Sequence, residues 1–367
     1  MRHHYLICAT SSLNAYCDFK GVREVVSSDS EIIEIATVLT NRVGYTNPLP
    51  PEAFVGGRNN RVFRLKTDEG TSLLKLYFHH PDDPRDRLGN EFGFLEHLQS
   101  SGSTLAAQPL AKEPASYAGL MEFIDGERLS IEQITVAEIE QASTFFLEAN
   151  EQRTSPFAQN LPHASEACFS MVEHLATTQR RVSLLDQISD HDEVDASARA
   201  LVANKLLPLW KKIQLRVESA KMDLGLILPQ VARVLSPSDF GFHNSLRESS
   251  GRLRFVDFEF AGWDDPAKLI CDFRNQPDML LDRSLTDPFT KTVVESNPEK
   301  DALEQRVSLL EPVYQLKWAC ICLNDFLDWG EHRKQFTGTD QSLLEIKTRQ
   351  LAKASVMFER AELLIQH

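Results

Sequence analysis

Two aspartates and an asparagine, Asp239, Asn244 and Asp257, stand close together in one stretch of the chain, and their types suit one chemistry. Phosphoryl transfer asks a protein for a carboxylate that orients the attacking hydroxyl and for oxygen ligands that hold Mg2+. Asp239 is the candidate for the first task, Asn244 and Asp257 for the second. The local pattern puts them within reach of one another. The apolar run 231–235 can enter a buried strand, Pro237 ends it, and residues 238–243 must form a loop with Asp239 at the mouth of the core. A second apolar run, 253–258, follows a polar turn containing Gly251 and reads as the return arm of a hairpin, which brings Asp257 beside Asn244. One carboxylate and one amide oxygen on opposite arms can share a hard cation and leave its other positions to phosphate oxygens.

Such groups need a frame that delivers a nucleotide to them, and the upstream sequence contains its parts. Residues 53–65 read as a short strand, a turn at Gly56 and Gly57, and a second strand. The glycine pair lets backbone N–H groups approach a phosphate, and it serves an ordinary hairpin equally well. Residues 72–77 form an apolar run with Lys75 in its middle; a charge inside a buried strand is costly unless it is paired. Asp83 and Pro84 offer a cap and a first-turn proline to a helix in which Leu88, Phe92, Leu95 and Leu98 share one face until Gly102. Glu91 lies beside that face, either as a solvated helix charge or as a partner for Lys75, which could itself be a strand-end lysine. Another strand is expected within 116–124, where Leu120 and Met121 fit a plain core.

The remainder reads as helices. Ile32, Ile35, Ala36 and Leu39 recur at helical spacing behind a cap at Asp29 or Ser30, and an extended link with three prolines follows at 45–52. Thr135 and Glu138 have capping-box spacing, with Ile139, Ala142, Phe146 and Ala149 on one face. Helices are expected at 165–185, 195–224, 302–327 and 343–365, with Pro312 starting or kinking the third and Trp318, Cys320, Cys322 and Phe326 in the core.

The ordered set of Lys75, Glu91, Asp239, Asn244 and Asp257, with Phe258-Glu259-Phe260-Ala261-Gly262 after it, resembles the catalytic and metal-binding loops of the aminoglycoside phosphotransferase and choline kinase superfamily, relatives of the protein kinases. The resemblance implies an α+β, two-lobed protein-kinase-like fold with a small antiparallel-sheet N-lobe and a mostly helical C-lobe. It implies an N-terminal extension with a helix at 1–45, a small nucleotide-binding lobe at 46–124, and a large helical catalytic and substrate lobe at 125–367. Gly56 and Gly57 would cover the nucleotide, and Lys75, fixed by Glu91, would neutralise its α- and β-phosphates. The backbone of Glu122 and Phe123 would meet the adenine edge. Asp239 would be catalytic, with Mg2+ on Asn244 and Asp257. The implied activity is transfer of the γ-phosphate of ATP, or of GTP, to a hydroxyl of a small molecule; an amino-alcohol, an aminoglycoside and a sugar all fit.

The chain departs from the family pattern at three places. Pro237 stands where the loop usually begins with histidine, Gly241 replaces a second loop histidine, and Leu269 stands where an aspartate is expected, with Asp272 one turn later. The alternative is therefore a pseudokinase, a nucleotide-binding or interaction module. Glu259, Asp264 and Asp265 would either attract an amine-bearing substrate or form a solvated acidic turn with a helix cap at Asp265.

Composition narrows the classes. At 367 residues two lobes or domains are the prior, and 42% hydrophobic with 25% charged residues is ordinary for a globular protein. A net charge of −14 argues against a nucleic-acid coat. No run suits a membrane span or the core of a secretory signal, and the six scattered cysteines show no paired zinc spacing. Reduced thiols and a cytoplasmic location are the expectation.

Overall fold

Strand alternation decides where the charges in the first half of the chain go. The computed structural model describes residues 28–54, 60–79, 83, 85–327 and 342–366. Within them, β1 (Glu52–Phe54), β2 (Asn60–Thr67), β3 (Gly70–Tyr77), β4 (Pro109–Glu113) and β5 (Ala118–Glu122) form one antiparallel sheet in the order β1-β2-β3-β5-β4. Leu74 and Leu76 of β3, with Phe63, Leu65, Ala118 and Leu120, face helix α1 (Asp29–Arg42), which contributes Ile32, Ala36 and Leu39. Successive side chains of a strand point to opposite faces, so Lys75 and Tyr77 face the other way, toward helix α2 (Arg87–Ser100).

Helix α2 lies close to the sheet because Lys75 is paired in register with Gly119. A Cβ at Gly119 would come within 2.3 Å of the Phe92 ring, so the absent side chain makes room for the helix.

The larger, helical part begins at α3 (Val136–Glu151), whose capping box joins Thr135 and Glu138 as the spacing anticipates. It continues through the single turn α4 (Pro156–Gln159), α5 (Met171–Leu184), α6 (Glu193–Leu201) and α7 (Leu207–Glu218). Two short antiparallel ribbons follow, β6 (Val234–Ser236) with β9 (Gly262–Asp264), and β7 (Ser245–Arg247) with β8 (Leu253–Phe255). Helices α8 (Pro266–Arg274), α9 (Arg283–Glu295), α10 (Lys300–Cys322) and α11 (Leu343–Gln366) complete the described chain. A cluster of phenylalanines, including Phe94 from α2, Phe145 from α3, and Phe240, Phe255 and Phe258 from the ribbons and loops, fills the space where the two parts meet. No helix among the described residues is long and apolar enough to cross a membrane.

Several boundaries differ from expectation. Ser28, not Asp29 or Ser30, caps α1, and it does so through a capping box with Glu31. Asp86 caps α2 by accepting the Gly89 N–H at 2.8 Å; Asp83 instead binds Arg85 and Arg87, and Pro84 lies outside the described residues. Strand β4 was not anticipated. The helix expected from 165 starts at Met171 behind Ser170, and the one expected at 195–224 runs from Glu193 to Glu218 with a π-type turn at Val202–Leu206. Pro312 lies inside α10, and that helix starts at Lys300.

Candidate active site

Lys75 is the centre of the site. Its ammonium is 2.6 Å from Glu91 Oε2 and 2.6 Å from Asp257 Oδ1, so the charge in the buried strand is paired twice. Burial opposes that charge, but the carboxylates of Asp257 and Glu91 outweigh it and hold the ammonium well above its ordinary pKa. Glu91 also accepts the Tyr77 hydroxyl at 2.7 Å and the Phe258 N–H at 3.2 Å, so both of its oxygens are satisfied.

The Asp257 side chain is 40% exposed. Its surroundings raise the cost of the charge, and Lys75 more than offsets this, which keeps the carboxyl below its usual range. Asp257 adopts φ of +70° and Ser238, before Asp239, adopts +68°, so both ends of the site hold non-glycine residues in left-handed backbone.

The β7–β8 hairpin carries out the approach that the sequence implies. The Val256 N–H donates to the Asn244 carbonyl at 3.0 Å, which sets Asp257 beside Asn244. The Asn244 amide donates to the Asp239 carbonyl at 3.0 Å and so joins the two ends of the loop. This leaves Asn244 Oδ1 and Asp257 Oδ2 as oxygens for a ligand. Among the described residues no three His, Cys, Asp or Glu side chains converge as a cation cage. Two protein oxygens with phosphate and water completing the shell is a fitting arrangement for Mg2+, which dehydrates reluctantly and keeps much of its shell outside the protein.

Asp239 stands apart from the Lys75 cluster. Its Oδ1 accepts from Gln276 Nε2 at 2.9 Å and lies 3.2 Å from His243 Nε2. His243 also helps, behind Lys75, to hold the Asp257 carboxyl below its usual range. Glu122 ends β5, and its carboxylate binds Arg254 of β8 at 2.6 Å and the Gln108 N–H at 3.0 Å, while its own N–H donates to the Gln108 carbonyl at 2.9 Å. Phe123 lies under the guanidinium of Arg64, 4.8 Å from ring centre to charge. Gly56 and Gly57 lie outside the described residues.

The acidic segment after Asp257 behaves otherwise than expected. Glu259, Asp264 and Asp265 are neither a lure for an amine nor a solvated turn, because each is buried and already paired. Glu259 receives Arg87 at 2.9 Å and the Asn60 amide at 2.8 Å, which ties β2 and α2 to this segment. Burial and the neighbouring Asp257 raise its pKa above the usual range. Asp264 pairs with Lys268. Asp265 does cap α8, through the Ala267 N–H at 2.8 Å, and also binds Arg306 and His174. Asp272 accepts the Trp318 indole N–H at 2.9 Å and lies within 3.9 Å of Lys268.

Sequence reasoning missed Tyr77, Arg87, Gln276 and His243. Tyr77 was legible as the residue two beyond Lys75 on the same strand face, and Arg87 as the residue one helical turn before Glu91. His243 stands four residues after Asp239 in the loop. Gln276 gives no local signal.

Known proteins share this architecture. A family model described as the phosphotransferase enzyme family matches residues 52–268. No curated protein matches the chain. A spectinomycin phosphotransferase solved with ADP and spectinomycin superposes with a TM-score of 0.62 at 14% identity, covering 90% of this chain and 98% of that one. A choline kinase from Streptococcus pneumoniae gives 0.56 at 14% identity, covering 91% and 100%. An ethanolamine kinase from Plasmodium vivax gives 0.55 at 13% identity, covering 90% and 89%. At these identities the likeness establishes the two-lobed, protein-kinase-like fold.

Proposed function

The chain belongs to the phosphotransferase enzyme family, and on that premise we propose that it transfers the γ-phosphate of ATP to a hydroxyl of a small molecule. The observation that carries the proposal is the doubly paired Lys75, 2.6 Å from both Glu91 and Asp257, because it joins a nucleotide-side cation to a metal-side carboxylate in one bonded unit. Lys75 meets the α- and β-phosphates while Glu91 fixes its direction. Asp257 and Asn244 hold Mg2+, which when bound neutralises phosphate charge. Gly56 and Gly57 cover the phosphates, and the backbone of Glu122 and Phe123 takes the adenine edge. Asp239 orients the acceptor hydroxyl and takes its proton as the new O–P bond forms and the bond to the β–γ bridging oxygen breaks.

In this proposal the chain divides into an N-terminal extension with a helix at 1–45, a small nucleotide-binding lobe at 46–124 and a large helical catalytic and substrate lobe at 125–367. ATP use and the free thiols of Cys168, Cys271 and Cys320 support a cytoplasmic setting. A second reading, nucleotide binding without transfer, is favoured by Pro237 and Gly241 at the places of the loop histidines.

The test is the thermal midpoint of the wild type and of Asp257→Asn with ATP, with Mg2+ and with both, followed by a panel of hydroxyl acceptors. A ligand present at 100 times its Kd stabilises the native state by about 2.7 kcal/mol. The expected result is a rise that needs both components and is lost in Asp257→Asn. The absence of any rise at millimolar ATP or GTP would overturn the nucleotide site, and binding without turnover across the panel would favour the second reading.

A further inference from the structure

Asp239 lacks the loop histidines that the resemblance leads one to expect, yet its carboxylate is held. Gln276, from the segment just after α8, is 3% exposed and reaches the loop from outside it. Its amide orientation is fixed by chemistry. The Asp278 N–H, which can only donate, lies 3.2 Å from Gln276 Oε1, so the NH2 group must face the other way. There it donates to Asp239 Oδ1 at 2.9 Å and lies 3.2 Å from His243 Nε2. Gly241 leaves the space for this arrangement: a Cβ on it would lie 3.0 Å from the His243 ring and 3.6 Å from Gln276 Cγ. The contact with His243 would be tighter than usual and that with Gln276 an ordinary van der Waals one.

Resting on the phosphotransfer reading above, we propose that Gln276 is the positioning residue for the acceptor carboxylate, taking the place of the absent loop histidines. By occupying Asp239 Oδ1 it turns Oδ2, which has no protein donor among the described residues, toward the hydroxyl of the acceptor. Gln276 touches neither nucleotide nor acceptor in this role. It acts through Asp239.

The experiment compares crystal structures and kinetics of the wild type, Gln276→Leu and Gln276→Glu. Leucine keeps the volume without the donor, and glutamate sets an oxygen against Asp239 Oδ1. The kinetic probe is phosphate release from MgATP, with water in place of the acceptor, together with any hydroxyl compound that the panel identifies. The expected result is that the Asp239 carboxylate leaves its present orientation in both variants. A misplacement of about 1 Å costs roughly 100-fold in rate, so kcat should fall by about 10- to 100-fold, more for glutamate, while KM for ATP stays within about twofold of the wild type. An unchanged carboxylate in Gln276→Leu, or a kcat within about twofold of the wild type, would overturn the proposal. If Gln276→Leu does not fold, the soluble Gln276→Glu decides by the same two criteria. A wild type that turns over no ATP, with a carboxylate that still swings in the variants, would refute phosphotransfer and leave the positioning role standing.

Discussion

Lys75→Met keeps the length of the side chain and removes its charge, which leaves Glu91 buried at 2% exposure with the Tyr77 hydroxyl and the Phe258 N–H as its bonds. Breaking a buried ion pair by removing one partner costs about 3–5 kcal/mol, because the other charge stays in place unmatched. The two surviving bonds put the expected loss at the lower end, about 3 kcal/mol, and Asp257 adds little because its side chain is 40% exposed and screened by water. With a urea slope of about 3 kcal/mol per molar, the unfolding midpoint should fall by about 1 M. The pH dependence follows from the raised pKa of Lys75: its contribution is fully present below the ordinary lysine value of about 10.4 and is lost only above it. The gap between wild type and variant should therefore be the same at pH 7 and pH 9. Adding Glu91→Gln to Lys75→Met should restore a large part of the loss, since the neutral amide no longer buries a charge. An unchanged midpoint in Lys75→Met, or a double variant weaker than the sum of the two single variants, would refute the assignment of this cluster as a buried, mutually dependent pair.

Other outcomes are as specific. The His174 ring is pulled down by burial and pushed up by the Cys168 sulfur and the Asp265 carboxylate, to a net pKa of about 9, so its contribution is complete below about pH 6.5 and lost as pH rises through 9. The wild type should lose stability between those pH values, and His174→Gln should flatten the slope; equal slopes in urea titrations would contradict the pairing. A Cβ at position 262 would lie 2.4 Å from the Pro162 carbonyl oxygen and 2.6 Å from the Ala164 nitrogen, so Gly262→Ala should cost about 3 kcal/mol because the obstacle is backbone. A urea midpoint at the wild-type value would show that the approach is not tight. Cys168, Cys271, Cys320 and Cys322 are buried, with the Cys320 thiol pushed up to about 12 by burial. A thiol reagent at pH 8 should titrate at most two of the six cysteines in the native protein and all six in urea, and more than two in the native state would contradict this burial.

The parts of the site that could be read from the sequence are those whose chemistry conflicts with their immediate surroundings. Lys75 in an apolar strand demands a partner, and the family resemblance singled out Glu91 on the next helix, 2.6 Å away in the structure. The Thr135 capping box and the hairpin before Asp257 were legible because their signals lie within a few residues. What was hidden depends on distance along the chain. Arg87 and Glu259 meet across 172 residues, and Asp239 and Gln276 across 37, so neither bond leaves a local pattern. Glu259, Asp264 and Asp265 looked like a surface cluster because acids usually are solvated, and only the fold supplies the Arg87, Lys268 and Arg306 that take them inside. Strand β4 escaped notice because its five residues are all half-buried and show no alternation.

The left-handed backbone at Ser238 and Asp257 has a consequence for laboratory evolution. Each such conformation costs a non-glycine residue about 1–3 kcal/mol that glycine would not incur. A library of this chain selected for heat resistance alone should therefore enrich Ser238→Gly, next to Asp239, whereas a library selected for turnover should not drift there freely. The two enrichment profiles would diverge first at the loop that carries Asp239, and position 238 would become a marker of which pressure a population had experienced.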